Sequence, residues 1–81
     1  MIRRGGDVVT DPVVLAQARR LAKSGAGRMI RVNADLTLKD IADPVGVSPT
    51  TILRWERLER VPHGEAAERW ARLLNDLSRG L

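Results

Sequence analysis

The sequence contains no cysteine, no phenylalanine and no tyrosine, and its aromatic residues are Trp55 and Trp70 alone. Without cysteine there is neither a disulfide framework nor a thiolate zinc site. His63 is the one histidine and has no second ligand at metal spacing, so no metal and no other cofactor is expected. No apolar run approaches the ~18 residues of a membrane span. Residues 1–6 carry charge with no apolar stretch behind them, which is not the layout of a secretory signal. A chain of 81 residues makes one domain at most and leaves little scaffold around a catalytic cleft. Ser48, Thr50 and Thr51 have no His or Lys base placed by spacing, so an enzyme reading finds no nucleophile. Asp40 and Asp43 are helical neighbours explained by a cap and a solvent face. The expectation is a small cytoplasmic domain and no enzyme.

What the chain has is arginine. Twelve of the 14 cations are Arg, and the formal net charge is +4. The Arg fork suits phosphates and base edges, because it donates two parallel hydrogen bonds. A GC-rich genome inflates Arg equally well, so the count alone does not establish a nucleic-acid partner. Hydrophobic residues make up 43%, ordinary for a globular chain and too high for a disordered one.

Apolar periodicity predicts five short helices and no strands. Residues 1–10 show no periodicity and read as a flexible arm; 11–81 read as a single domain. Asp11-Pro12 resembles an N-cap followed by proline in the first turn, opening a helix that ends near Lys23. A second helix runs through Met29 to about Asn33. Thr37 caps a third, with Asp40 completing a short capping box. Pro44 marks its last turn, and Gly46 sits where a helix end wants a left-handed residue. Ser48-Pro49 opens a fourth helix, 48–58. After a connector at 61–64, a fifth helix covers 65–78, with Ala67, Trp70, Leu74 and Leu77 at helical spacing. Trp55 and Trp70 fall at core spacing. Arg19, Arg20 and Lys23 read as a solvated face of the first helix.

Two short helices joined at Gly46 have helix-turn-helix spacing. Ala42 is small where the second helix crosses, Val47 plugs the turn, and Ile52 packs the second helix on the first. The residues Ile30-Arg31, Leu36-Thr37-Leu38-Lys39-Asp40-Ile41-Ala42, Val45-Gly46-Val47-Ser48-Pro49-Thr50-Thr51-Ile52, Arg54-Trp55-Glu56-Arg57 and Pro62 resemble the Xre/Cro-type helix-turn-helix regulators. The resemblance spans roughly 24–77. It implies an all-α, compact five-helix, lambda-repressor-like domain that reads the major groove of double-stranded DNA with helix 48–58.

The resemblance also implies roles for particular residues. Pro49, Thr50, Leu53 and Arg54 are expected at base edges, with Arg54 the candidate for a guanine. Lys39, Ser48, Arg57 and Arg60 are expected at phosphates. Arg31 and Glu56 occupy the positions of a structural ion pair. Four positions depart from the family pattern: Asp35 and Leu58 replace glycines that end helices, Leu38 replaces a polar phosphate ligand, and Pro44 intrudes into the third helix. The functional expectation is a transcriptional regulator, such as a phage or mobile-element repressor. The alternatives are an antitoxin or other protein-interaction module and a non-specific nucleoid or excision accessory protein. Apolar residues of helix 65–78 in excess of one face leave a homodimer open.

Overall fold

Asp11 opens the first helix by accepting the Val13 N–H on Oδ1 at 2.9 Å, with Pro12 in the first turn. The computed structural model describes residues 11–80, so the arm expected over 1–10 and Leu81 lie outside the described residues. Five helices follow in order: α1 (Pro12–Ser24), α2 (Ala26–Asn33), α3 (Leu38–Val45), α4 (Pro49–Glu56) and α5 (Gly64–Gly80). There is no strand among the described residues. None of these helices is long and apolar enough to cross a membrane.

The longest helix, α5, is the spine. Its Ala67, Trp70, Ala71 and Leu74 recur at i, i+3 and i+4 and are buried, so α1, α2 and α3 all pack along it. Asp11 N–H donates to Glu68 and Asn75 Nδ2 donates to Gln17. Nearly equal sequence offsets at the two points, 57 and 58, mean that α1 and α5 run side by side in the same direction. Trp70 sits at the centre with no exposure, 5.3 Å from the Trp55 ring centroid at a 56° tilt. Its Nε1–H has no acceptor among the described residues, so the ring is held by packing alone.

Leu73 and Leu77 are half-buried against the same core. Part of the apolar surplus that left a two-fold contact through 65–78 open is therefore packed within the domain, and Leu81 lies outside the described residues. The outward positions of α5 are charged, and Arg72 pairs with Glu68 and Arg79 with Asp76.

Three helix ends close in one way. A residue in the left-handed region donates its N–H to the carbonyl three back, and the next N–H reaches the carbonyl five back. After α2 the residue is Asp35 at φ 62°, with Asp35 N to Val32 O and Leu36 N to Arg31 O. After α3 it is Gly46 at φ 85°, with Gly46 N to Asp43 O and Val47 N to Ala42 O. After α4 it is Leu58 at φ 58°, with Leu58 N to Trp55 O and Glu59 N to Arg54 O. This last closure stops α4 at Glu56 rather than at the expected Leu58, because the chain turns back on the Arg54 carbonyl. The fifth helix is longer than the expected 65–78, beginning at Gly64 and reaching Gly80.

Candidate nucleic-acid interface

The segment from Thr37 to Glu56 is fastened at each joint. Thr37 Oγ1 accepts the Asp40 N–H at 3.1 Å, and Asp40 Oδ2 accepts the Thr37 N–H at 2.9 Å. Hydrogen bonding from the Thr37 backbone, and next from its side chain, holds the Asp40 carboxyl below the usual aspartate range. Ala42 is fully buried, and its small side chain lets α4 approach α3. Ser48 Oγ then accepts the Thr51 N–H at 3.1 Å and lies 3.0 Å from the Thr51 hydroxyl, which starts α4 sharply.

The two faces of α4 separate cleanly. Ile52, Trp55 and Glu56 point inward and are buried. Pro49, Thr50 and Arg54 are exposed, and Leu53 is half-buried at the margin. Arg57 and Arg60 are exposed in the turn that follows. Among the described residues, none of Arg54, Arg57 and Arg60 has a carboxylate partner. Of the two adjoining glutamates, Glu56 is buried and engaged elsewhere, while Glu59 is exposed between Arg57 and Arg60 and pairs with neither.

The engagement of Glu56 is with Arg31. Arg31 Nε donates to Glu56 Oε2 at 2.6 Å and Nη2 donates to Oε1 at 3.0 Å, with side chains only 13% and 1% exposed. The hydrogen-bonded carboxylate raises the Arg31 guanidinium further above its ordinary value. Arg31 Nη1 also donates to the Leu36 carbonyl at 2.9 Å. One side chain thus ties α2, the loop before α3 and the end of α4 together. The bidentate geometry fits the fork of arginine and not the point charge of lysine.

Lys39 stands apart from the arginines. Its Nζ is 2.6 Å from Asp43 Oδ2 one turn along α3, in a pair open to water on both sides. Such a pair is screened by salt and holds neither partner firmly. The departures at Leu38 and Pro44 fall on the same helix: Leu38 packs partly against the core, while Pro44 is exposed inside α3.

His63 carried no role in the sequence, yet it shares an open cleft with Thr51, Arg54 and Arg60, floored by Val47 and Ala66. Its Nδ1 lies 3.3 Å from the Val61 carbonyl, so the tautomer protonated there donates to that oxygen and keeps Nε2 free as an acceptor. Only the fold brings it beside Arg54, because the connector has no periodicity to place it. The lining of the cleft includes Arg54 and Arg60 and no acidic residue, an arrangement suited to an anion. No group of acidic, histidine or cysteine side chains able to hold a metal ion occurs among the described residues.

Comparison with curated proteins and with solved structures gave no match. A helix-turn-helix family model matches residues 28–80, which takes in α3, the Gly46 turn, α4 and the spine helix. With its five helices in the lambda-repressor-like arrangement, the chain belongs to the Xre/Cro-type helix-turn-helix family of DNA-binding regulators.

Proposed function

We propose that the protein is a sequence-specific regulator of a phage or mobile element that represses by occluding a promoter. In this reading the exposed face of α4 enters the major groove, which is ~12 Å wide and admits one helix. Pro49, Thr50, Leu53 and Arg54 meet base edges, and Arg54 pairs with a guanine through O6 and N7. Ser48, Arg57, Arg60 and Lys39 meet phosphates. The observation that carries the reading is the contrast along α4. Its inner face is locked by Trp55 and the Arg31–Glu56 pair, while Arg54, Arg57 and Arg60 beside it are exposed and have no carboxylate partner among the described residues. A rigid helix with exposed arginines on its free side and in the turn that follows suits an ordered polyanion, whose phosphates position the protein and whose base edges are read.

Selection of bound duplexes from a random DNA library tests this directly. The expected result is a defined sequence of a few base pairs whose affinity falls steeply with salt. Two copies of that sequence one DNA turn apart, ~34 Å, would make the binding species a dimer. Equal affinity for selected and random duplexes would replace the reading with a non-specific accessory role.

A protein-interaction role, such as that of an antitoxin, draws on a different observation. Met29 and Val32 are 52% and 45% exposed one turn apart on α2. Unchanged DNA selection by a Met29→Ser, Val32→Ser variant that has lost co-purification with a genomic neighbour's product would support it.

A further inference from the structure

Two ends of α4 are held by different means. Near its C-terminal end Trp55 packs on Trp70 and Glu56 pairs with Arg31. At its N-terminal end Pro49 and Thr50 are exposed, and Ile52 is the first residue of the helix to enter the core. Three residues before α4 begins its capped turn, the Val45 carbonyl accepts a hydrogen bond from Arg69 Nε of α5 at 2.8 Å. The same guanidinium reaches over Gly46, where a Cβ would stand 3.4 Å from Nη2.

This bond falls where the backbone leaves a gap. The closure of α3 satisfies the carbonyls of Ala42 and Asp43 through Gly46 and Val47. Val45 lies beyond their reach, and its oxygen is one of the last orphan acceptors of the helix. A cation at a helix C-terminus also complements the negative end of the helix dipole. Arg69 has no carboxylate partner among the described residues, although Glu65 and Glu68 are close in sequence; Glu68 pairs with Arg72 instead.

We propose that Arg69 is a positioning residue for DNA recognition, clamping the turn between α3 and α4 to the spine helix and so fixing where α4 starts. Only Gly46, Val47 and Ser48 separate the clamped carbonyl from Pro49, so displacement at Val45 passes directly to the leading residues of α4. A shift of that end matters more for base contacts than for phosphates, because bidentate base recognition tolerates little misplacement. The inference rests on α4 being the base-reading helix.

Arg69→Met keeps an unbranched stem and removes the donor; Arg69→Lys keeps a donor. Far-ultraviolet dichroism and tryptophan fluorescence establish that each variant is folded. Binding is then measured for a duplex selected from the random library by the unaltered chain and for a shuffled duplex of equal composition. Arg69→Met should lose about five- to tenfold in affinity for the selected duplex, the range of one lost hydrogen bond, and keep its affinity for the shuffled one. Amide exchange at Gly46 and Val47 should accelerate, with the α5 amides unchanged, and Arg69→Lys should recover part of both effects. An equal fall for both duplexes with a shallower salt dependence would overturn the proposal in favour of a direct phosphate contact. An unaltered affinity ratio, or unaltered exchange at Gly46 and Val47, would overturn it outright. If the unaltered chain shows no sequence preference, the base-reading assignment of α4 fails and the proposal with it; accelerated exchange would then mark Arg69 as a structural clamp only.

Discussion

Gly27 of α2 lies against the edge of the Trp70 indole, so closely that a Cβ on Gly27 would stand 2.7 Å from Cζ2 and 3.0 Å from Cη2. Trp70 is fully buried and cannot swing away. Gly27→Ala should therefore destabilise the domain even though alanine is the better helix former. Overpacking costs ~1–3 kcal/mol, and the gain in helix propensity returns ~1 kcal/mol. A net loss of about 1 kcal/mol in urea unfolding, followed by tryptophan fluorescence, is the expected outcome. Gly80→Ala, with nothing within 4 Å of the new carbon, is the control and should show no loss.

The Arg31–Glu56 pair predicts a separation of stability from specificity. Glu56→Ala leaves the Arg31 guanidinium largely enclosed and deprived of two hydrogen bonds. Breaking such a pair from one side costs about 3–5 kcal/mol. Thermal unfolding should shift down sharply, while the molecules that remain folded should select the same DNA sequence as the unaltered chain. A changed sequence preference at full stability would move Glu56 from the frame to the interface.

Leu58 offers the opposite case, a substitution that should stabilise. Its φ of 58° places a branched side chain in the left-handed region, while 47% of the residue is exposed. The strain is worth about 1–2 kcal/mol, and glycine's greater freedom in the unfolded chain takes back roughly half. Leu58→Gly should raise the urea midpoint by an amount equivalent to about 0.5–1 kcal/mol. An unchanged or lowered midpoint would mean that the Leu58 side chain contributes packing that its exposure does not suggest.

These helix ends show why some of the fold was legible in the sequence and some was not. Asp11, Thr37 and Ser48 cap through their own side chains, so residue type and spacing announce them. Gly46 announces its left-handed turn for the same local reason. Asp35 and Leu58 make the same closure through backbone hydrogen bonds without glycine, so residue type does not mark the turn, and the apolar spacing carries helix 48–58 two residues past its end. Gly25 and Gly27 look alike in sequence, as weak points between helices. In the fold Gly25 turns the chain at φ 80°, whereas Gly27 is a helical residue that makes room for Trp70.

The candidate site divides along the same line. The outward and inward faces of α4 follow from a period of 3.6 residues, and the Arg31–Glu56 pairing came with the family resemblance. His63 and Arg69 had no such signal. Each acquires its place from the packing of α5 against the α3–α4 unit, an event between distant segments that no local pattern encodes. The apolar surplus of α5 is visible in the sequence, but how it divides between the core and the surface is not.

Acid should loosen the start of α3. Asp40 titrates below the ordinary aspartate range because the Thr37 N–H and hydroxyl favour its charged form. A carboxyl with a depressed folded-state value stabilises the fold above its unfolded value and loses that contribution as pH falls through the folded one. The stability difference between the unaltered chain and Asp40→Asn should be greatest near neutrality. It should shrink as pH drops through and below the ordinary aspartate range. A difference that stayed constant into strong acid would mean that the capping box acts through shape and not through charge.

Arg54 and Arg57 are separated by less than one turn of chain and are assigned opposite kinds of contact, which makes them a matched pair for experiment. Both are exposed and neither has a carboxylate partner among the described residues. Arg54→Ala should relax the selected sequence at one position, losing ~1–3 kcal/mol of discrimination there. Arg57→Ala should weaken binding to every duplex alike and reduce the slope of affinity against salt by about one counterion. Parallel library selections on the two variants, with affinities at several salt concentrations, separate these outcomes. If Arg54→Ala left the selected sequence intact and lowered the salt slope as Arg57→Ala does, Arg54 would be a phosphate ligand. The reading of bases would then fall to Pro49, Thr50 and Leu53, whose apolar and hydroxyl groups favour thymine methyls over guanine.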